Sequence, residues 1–278
     1  ASIIEYPGLE LEDIKSRTIT IKDSSFKGKR GVIGIIGAGN FTSMMVLPSL
    51  KGSGAQLKMI ASFNGASGTQ CAKRYGISQS TTDYKEILND DDIDTVIITT
   101  RHDSHSKLVI ESLNAGKNTF VEKPLALNQV ELNQIIDTYN KQQEKIDSPM
   151  LAIGFNRRFS PHLIKLKQNI GKNSTISNII ANMNAGFIPM DHWVHDLEQG
   201  GGRIIGEACH LIDVCVYLSG SLIKSVCMNS LGEKTNLATD NASILLKFIN
   251  GSNAVINYFS NGSKKYSKER VEVYSQER

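Results

Sequence analysis

The 278-residue chain has few cysteines, little net charge and no long apolar run, and each shortage excludes a class of protein. Its four cysteines, at positions 71, 209, 215 and 227, lack the paired spacing that binds zinc, and a chain of this length does not depend on disulfides. A net charge of +3, spread along the chain, offers no basic patch for nucleic acid or a membrane surface. No stretch approaches the roughly 20 apolar residues of a membrane span. We therefore expect a cytoplasmic protein with reduced thiols, no metal, and no nucleic-acid or membrane partner.

The chain also begins without methionine and without a basic segment followed by an apolar one. From this we expect a processed protein or a part of a longer polypeptide, with no secretion signal. Residues 1–30 hold one short alternation of polar and apolar residues around Ile19 and Ile21, and then charged, flexible residues. This pattern predicts a linker or a peripheral strand that leads into the first domain.

A glycine turn after a buried strand organises the next part of the chain. Residues 32–36 are apolar apart from Gly34, as in a parallel strand buried on both faces. Gly37 permits a tight turn, and Gly39 lets backbone amides approach a pyrophosphate at the start of a helix over residues 41–50. Thr42 stands where a third glycine is usual, and a lone Gly-x-Gly also occurs in plain turns, so this stretch alone leaves both interpretations open. The residues predicted here as cofactor contacts are Gly37, Gly39, Asn40 and Phe41.

The elements that follow favour dinucleotide binding. Strands are predicted at 57–61, 95–99 and 119–121, and helices at 69–75, 84–88, 104–115 and 128–145. This alternation predicts an α/β Rossmann domain, a doubly wound parallel sheet, over residues 31–149. Later strands are predicted at 151–153, 176–183, 243–248, 254–259 and 271–274, with helices at 163–168 and 203–218. They predict an α+β substrate domain with an open, mostly antiparallel sheet over residues 150–278.

The choice of cofactor depends on the residues after the second strand of the Rossmann domain. An acid there would bind the ribose 2′-hydroxyl, and an arginine would bind a 2′-phosphate. Ser62 and Asn64 stand at this place and can bond to either group, so Ser62 is predicted to contact the cofactor while NAD and NADP both stay open.

The loop after the 95–99 strand should lie at the same edge of the sheet, because ligands gather at the carboxyl ends of parallel strands. Thr100, His102 and His105 are therefore predicted to contact the cofactor. Two alternatives are a metal pair formed by the histidines, and a helix that Ser104 caps with His105 in its first turn.

The next strand ends in Val121-Glu122-Lys123-Pro124. Glu122 is predicted to contact the cofactor. Lys123 should project into the same cleft, where its ammonium would donate a hydrogen bond to a substrate oxygen and polarise it. The alternative is a surface lysine beside a proline that ends the strand.

The loop over residues 184–193 combines polar and aromatic groups and holds the only tryptophan of the chain. Asp191, His192 and Trp193 suit a sugar, because its hydroxyls need hydrogen bonds and its ring faces are apolar; a tryptophan that only fills the core is the alternative. Arg157 and Arg158 follow a strand and would hold an anionic group such as a diphosphate, unless they are a solvent-facing pair.

Several motifs occur in one consistent order over residues 31–275. They are Gly37-Ala38-Gly39, Thr100 through His105, Ala115-Gly116-Lys117 leading to Glu122-Lys123-Pro124, Gly154 through Pro161, and Gly200-Gly201-Gly202 before His210-Leu211-Ile212-Asp213. Together they resemble the glucose-fructose oxidoreductase / inositol dehydrogenase (Gfo/Idh/MocA) family. The resemblance extends to its subgroup in which such a module follows an alcohol-dehydrogenase-like half.

The resemblance implies NAD(P)-dependent hydride transfer at a carbon of a sugar, nucleotide-sugar or cyclitol, with Lys123 at the substrate and His210 as acid/base. It also implies protomers that pair through the C-terminal sheet. The family commonly has Asp-x-x-x-His, but Gly206 stands at the aspartate position, so Glu207 or Asp213 is expected to orient His210 and Glu207 to line the substrate site. Arg101 stands where proline is usual. The missing aspartate supports a second hypothesis, a non-catalytic dinucleotide-binding module used for sensing or assembly.

Overall fold

The computed structural model describes residues 17–26, 31–171, 175–233 and 238–276. The chain divides into two compact units, the first made of residues 1–100, 104–122 and 133–152, and the second of residues 101–103, 123–132 and 153–278. The main division thus falls between residues 152 and 153, close to the predicted boundary after residue 149. Two short segments that interrupt the first unit in sequence, residues 101–103 and 123–132, belong to the second.

The first unit contains a seven-stranded sheet in the order β1-β4-β3-β2-β5-β6-β7. Its strands are β1 (Thr18–Thr20), β2 (Val32–Ile36), β3 (Gln56–Ala61), β4 (Gln79–Thr81), β5 (Thr95–Ile98), β6 (Asn118–Val121) and β7 (Leu151–Ile153). Strands β4, β3, β2, β5 and β6 are parallel, and β1 pairs antiparallel with β4 at the edge. The doubly wound Rossmann sheet is confirmed, and the order reverses between β2 and β5, where such sheets bind their ligands.

Helices of the first unit are α1 (Leu47–Leu50), α2 (Ala66–Tyr75), α3 (Lys85–Leu88) and α4 (His105–Asn114), whereas α5 (Gln129–Gln143) begins in the second unit and continues into the first. A π-helical turn, Thr42–Val46, leads directly into α1. Every residue of β2 is buried, and Leu47, Ile60 and Ala72 pack in the same core. The short apolar strands form because they are covered by helices on both faces. Strand β4 was not predicted. Residues 18–20, which belong to the predicted linker or peripheral strand, form β1. The rest of that predicted segment, residues 1–16 and 27–30, lies outside the described residues.

The second unit contains a five-stranded sheet in the order β12-β8-β11-β10-β9. The strands are β8 (Asn178–Asn184), β9 (Ile223–Ser230), β10 (Ala242–Phe248), β11 (Asn253–Phe259) and β12 (Glu269–Tyr274). Only β8 and β11 pair in parallel among the described pairings, so the sheet is mostly antiparallel, as predicted. Helix α6 (Pro161–Ile170) begins at a Ser160 cap, and α7 (Cys209–Ser219) continues a π-helical turn, Ile204–Ala208.

The residues of this second sheet alternate between a buried and an open face. In β10 the side chains of Ala242, Ile244, Leu246 and Phe248 are buried, whereas Leu245 between them is 50% exposed. Helix α7 packs its apolar residues against the buried side in one core. The opposite face of the sheet is therefore open.

The thiols at positions 71, 209, 215 and 227 are free, and burial raises the pKa of Cys71, Cys209 and Cys215. Across the ranges given above, no helix combines the length and apolarity that a membrane crossing requires, and no cluster of side chains suits a metal ion.

Candidate active site

The first unit carries the predicted glycine turn after β2. Gly37 has a φ of +111°, and a Cβ atom there would lie 2.9 Å from the carbonyl carbon of Thr99. Only glycine fits this position without strain. Gly39 differs, because a Cβ atom added to it would meet nothing within 4 Å. The space beside its backbone is open and suits a phosphate group, so these residues fit a dinucleotide.

Thr42 occupies the place of a third glycine and connects the two loops of the switch point. Its side chain is fully buried, and its Oγ1 lies 2.7 Å from Oγ1 of Thr99 at the end of β5. The Thr99 hydroxyl also lies within 3.2 Å of the Gly37 carbonyl oxygen, to which it can donate. The threonine therefore replaces close helix–strand packing by a hydrogen bond.

Two residues predicted as cofactor contacts, Ser62 and His105, have side chains that bond within the fold, and their contact with a cofactor stays a prediction. The Ser62 side chain is buried, and its Oγ accepts a hydrogen bond of 3.0 Å from the backbone N–H of Gly68 in α2. His105 is fully buried at the start of α4, where its Nε2 donates to the Thr100 carbonyl oxygen at 3.1 Å. This agrees with the alternative that placed His105 in the first turn, although the Ser104 hydroxyl bonds to the Thr100 side chain instead of capping the helix.

Other predicted contacts in the first unit lie where a cofactor can reach them. Asn40 and Phe41 are exposed at the start of the helical segment after the glycine turn. Thr100 follows β5, and the backbone N–H of Glu122 continues the ladder by donating to the Ile98 carbonyl oxygen at 2.9 Å. Their contacts with a cofactor stay predictions.

The second unit contains a cavity of about 270 Å³ beside the start of α7. Five predicted site residues line it, namely Lys123, Arg157, Trp193, Glu207 and His210, and His102 lines it too. His102 was predicted to contact the cofactor from the Rossmann domain, but it belongs to the second unit. The π-helical turn at 204–208 forms one wall, and such turns often accompany functional sites.

Lys123 is held in this cavity by the turn before α7. Its Nζ donates a hydrogen bond of 2.6 Å to the carbonyl oxygen of Gly206. An ammonium keeps two further N–H donors after this bond. Lys123 thus lines a cavity and is not a plain surface lysine, while its contact with a substrate oxygen stays a prediction.

His210 of α7 lines the cavity, but its surroundings disfavour the protonated imidazole. It is 6% exposed, stands edge-on to Phe155 with 6.3 Å between ring centroids, and its buried Nδ1 has no hydrogen-bond partner among the described residues. Burial, followed by the positive charges of Arg157 and Lys123, lowers the pKa of His210 to about 3. A neutral ring is therefore strongly favoured in this environment.

Neither acid proposed to orient His210 makes a described hydrogen bond to it. Asp213 instead receives two hydrogen bonds from Arg158, one of them 3.0 Å from Nε. Glu207 accepts bonds of 2.6 Å from the Tyr258 hydroxyl and 2.9 Å from Arg203. Burial alone would raise the pKa of Glu207, but these bonds outweigh it and lower the pKa. Both carboxylates are thereby committed to arginines.

The two predicted anion-binding arginines are also paired. Arg157 lines the cavity and donates to Glu269 through Nε at 2.9 Å and Nη2 at 2.6 Å. Burial would lower the pKa of Arg157, but the bonds and charge of Glu269 raise it. Arg158 pairs with Asp213 and does not line the cavity. Arg157 is thus at the site with its charge already balanced.

Trp193 is half-buried and lines the cavity rather than filling the core. Its ring meets His102 edge-on at a centroid distance of 5.0 Å, and the guanidinium carbon of Arg101 lies 5.6 Å from its centroid. Asp191 and His192 are exposed and do not line this cavity, and their role as substrate contacts stays a prediction. His192 begins the short helical turn Trp193–His195, where its Nδ1 accepts from the backbone N–H of Val194, and its ring centroid lies 5.8 Å from that of Trp193.

Sequence reasoning missed Arg203 and Gly206 as cavity residues and misplaced His102. Arg203 is 3% exposed and donates to the Gly186 carbonyl oxygen at 2.7 Å, which joins the 184–193 loop to the helix. A Cβ atom on Gly206 would lie 3.2 Å from Cε1 of His102. The sequence did offer one signal for Gly206 as a cavity residue, because a glycine stands there at a helical position where a side chain is usual.

Comparisons with known proteins agree with this division. Residues 32–148 match the model of an oxidoreductase family with an NAD-binding Rossmann fold, and residues 168–277 match the C-terminal domain of the same Gfo/Idh/MocA proteins. The chain is 28% identical to a myo-inositol 2-dehydrogenase of Thermotoga maritima over 73% of this chain and 60% of that protein. It is 26% identical to an inositol 2-dehydrogenase of Rhizobium meliloti, over 87% of this chain and 72% of that one. The chain thus spans between 60% and 72% of the length of these two relatives.

A solved structure shows the same fold at lower identity. A myo-inositol dehydrogenase from Lactobacillus casei, in complex with NAD(H) and myo-inositol, superposes with a TM-score of 0.71 at 19% identity, over 88% of this chain and 71% of that chain.

Proposed function

Because the chain belongs to the Gfo/Idh/MocA family of NAD-binding oxidoreductases, we propose that it transfers a hydride between a nicotinamide cofactor and a carbon of a sugar, nucleotide-sugar or cyclitol. The observation that carries the proposal is the cavity in which Lys123, His210 and Trp193 meet. Polar donors beside an aromatic ring are what a polyhydroxylated ring requires. The relatives named as inositol dehydrogenases support a cyclitol or a sugar as the substrate class.

The roles of the residues follow from their contacts. A bound nicotinamide supplies or accepts the hydride. Lys123, anchored through one N–H to the Gly206 carbonyl oxygen, directs its remaining donors toward the reacting oxygen and stabilises the negative charge that develops there. His210, neutral at physiological pH, offers a hydrogen bond to a substrate hydroxyl without taking up a proton.

In the first unit, Gly37 and Gly39 would hold the pyrophosphate at the turn after β2. The backbone fits this group, since the position of Gly39 leaves open space. NAD is the cofactor of the family model; the residues after β3 carry neither an acid, which would favour NAD, nor an arginine, which would favour NADP.

The test is turnover on a panel of sugars, nucleotide-sugars and cyclitols, followed by the absorbance of the reduced nicotinamide. Lys123→Met should lower kcat by about 100-fold or more while the Kd for NADH changes little, because its partner is the substrate oxygen. The matched control is Lys107→Met, which removes an exposed lysine of α4. An equal loss of cofactor affinity in Lys123→Met, or no wild-type turnover on any panel member, contradicts the proposal; tight cofactor binding without turnover favours a non-catalytic module.

Three broader expectations belong to this proposal. The open face of the second sheet would pair two protomers, and light scattering of wild type and Leu245→Glu tests this, since the charge would separate them. Membership in a longer polypeptide behind an alcohol-dehydrogenase-like half is tested by the mass of the native protein. A cytoplasmic location is tested by fractionation of the source cells.

A further inference from the structure

A histidine outside the helix of His210 is better placed for proton transfer. His102 lies in the short helical turn His102–Ser104 and lines the cavity of the second unit. Two contacts fix its ring, a bond of 2.9 Å between Nδ1 and the Gly200 carbonyl oxygen and the edge-on contact with Trp193 at 5.0 Å. A ring held in this way is oriented before any substrate arrives.

The bond to Gly200 determines which nitrogen can act as a base. A carbonyl oxygen only accepts hydrogen bonds, so Nδ1 of His102 carries the proton. In the neutral ring the lone pair then belongs to Nε2. A base oriented by an acceptor on its other nitrogen is the arrangement that general-base catalysis uses.

Gly206 brings this imidazole and the Lys123 ammonium to the same residue. The Lys123 Nζ lies 2.6 Å from the Gly206 carbonyl oxygen, and His102 Cε1 lies 3.2 Å from the place of a Cβ atom on Gly206. Any side chain at position 206 would crowd the imidazole. Because position 206 has no side chain, the imidazole of His102 and the ammonium of Lys123 both lie against Gly206.

His210, the other cavity histidine, lacks these features. Its Nδ1 is buried without a hydrogen-bond partner in the described part of the chain, so no group selects its tautomer. The positive charges near it oppose its protonation, and burial does so even more strongly. The charged groups that share the cavity with His102 are Lys123, Arg157, Arg203 and Glu207, and Arg101 precedes it beside Trp193.

We infer that His102 is the catalytic base that takes the hydroxyl proton of the substrate through Nε2; this role rests on the proposed function. As the C–H electron pair leaves as hydride for the oxidised nicotinamide, the O–H proton passes to Nε2 and the O–H electron pair forms the new C=O bond. The imidazolium then releases the proton to water. In the opposite direction the same group donates the proton.

The kinetic test compares His102→Gln, His210→Asn and the control His162→Gln, which removes an exposed histidine of α6. Wild type should show an acid-side limb in the pH profile of kcat/KM, because the base must be deprotonated. His102→Gln should lose this limb and about 100-fold or more in kcat, with its Kd for NADH unchanged. His210→Asn and His162→Gln should keep the limb.

A second measurement reads the tautomer in the wild-type protein, and the His102→Gln variant is needed only to assign the signal. The signal of His102 is the imidazole signal that disappears in the His102→Gln variant, in which His162 is unchanged. Long-range ¹⁵N–¹H NMR of the wild-type protein should show an Nδ1–H tautomer for this signal. An Nε2–H tautomer overturns the inference. The inference is also overturned, without the proposed function, if wild type turns over substrate and the acid-side limb survives in His102→Gln. If wild type shows no turnover at all, the proposed function is rejected together with the role of His102.

Discussion

Gly39 and Gly37 allow the cofactor site to be tested separately from the stability of the fold. The substitution Gly39→Ala places a methyl group in open space, since nothing lies within 4 Å of the added carbon, and Gly39 does not adopt a left-handed backbone conformation. We expect the variant to fold with a Tm close to that of wild type. The methyl group would nevertheless occupy the volume into which the phosphate must come.

The magnitude follows from the hydrogen bond that is lost. A backbone N–H that donates to an ionised phosphate contributes about 1.5–3 kcal/mol. Its loss corresponds to a roughly 10- to 150-fold weaker Kd for NADH. Fluorescence titration of the reduced nicotinamide measures this directly, with unfolding followed in parallel by circular dichroism.

Gly37→Ala is the companion variant with the opposite expectation. Its φ of +111° and a contact of 2.9 Å with Thr99 make the new side chain strained and crowded. The two costs, about 1–3 kcal/mol each, are large beside a typical folding free energy of about 5–15 kcal/mol. Wild-type affinity in Gly39→Ala, or a Tm loss in it as large as that in Gly37→Ala, refutes the reasoning.

Two further predictions concern stability in the second unit. Between about pH 6.5 and 3 the unfolded chain takes up a proton at His210 that the folded protein excludes, so the free energy of unfolding should fall on acidification by up to about 1.4 kcal/mol per pH unit. This slope should be shallower in His210→Asn when denaturation is compared at pH 7 and 5. Equal slopes in the two proteins contradict the burial argument. Tyr258→Phe removes the 2.6 Å hydrogen bond to Glu207 from a fully buried ring and should lower the free energy of unfolding in urea by about 1–3 kcal/mol. The control Tyr139→Phe changes a half-exposed residue of α5 and should lower it little. Equal effects would show that the buried bond contributes nothing.

The sequence was most informative where local chemistry and fold agree. The β2 turn was predicted because an apolar run followed by Gly37 permits few other backbones, and the observed φ of +111° is the conformation that only glycine tolerates well. Strands β4 and β9 were missed for a matching reason. Gln79–Thr81 is short and polar, and most of Ile223–Ser230 is exposed, so neither has the alternation that indicates a half-buried strand.

The site was predicted in part, because residue type indicates chemistry but not direction. Lys123 and Trp193 line the cavity, whereas His192, the neighbour of the tryptophan, does not. Proximity in sequence could not separate them. The proximity of His102 to Gly206 is also beyond sequence reasoning, since the contact joins residues about a hundred positions apart through a glycine that has no side chain.

The chain passes between its two units more than once, and this limits which fragments and domain exchanges can preserve the cavity. Residues 101–103 and 123–132 belong to the second unit although the first unit surrounds them in sequence, and α5 spans one of the changes. A fragment that starts at residue 153 would therefore lack both His102 and Lys123 and could not reproduce the cavity. During synthesis, the cavity cannot be completed until α7 has emerged, yet two of its side chains leave the ribosome with the Rossmann strands. Exchange of substrate domains between relatives should accordingly transfer these two inserted segments together with the C-terminal half.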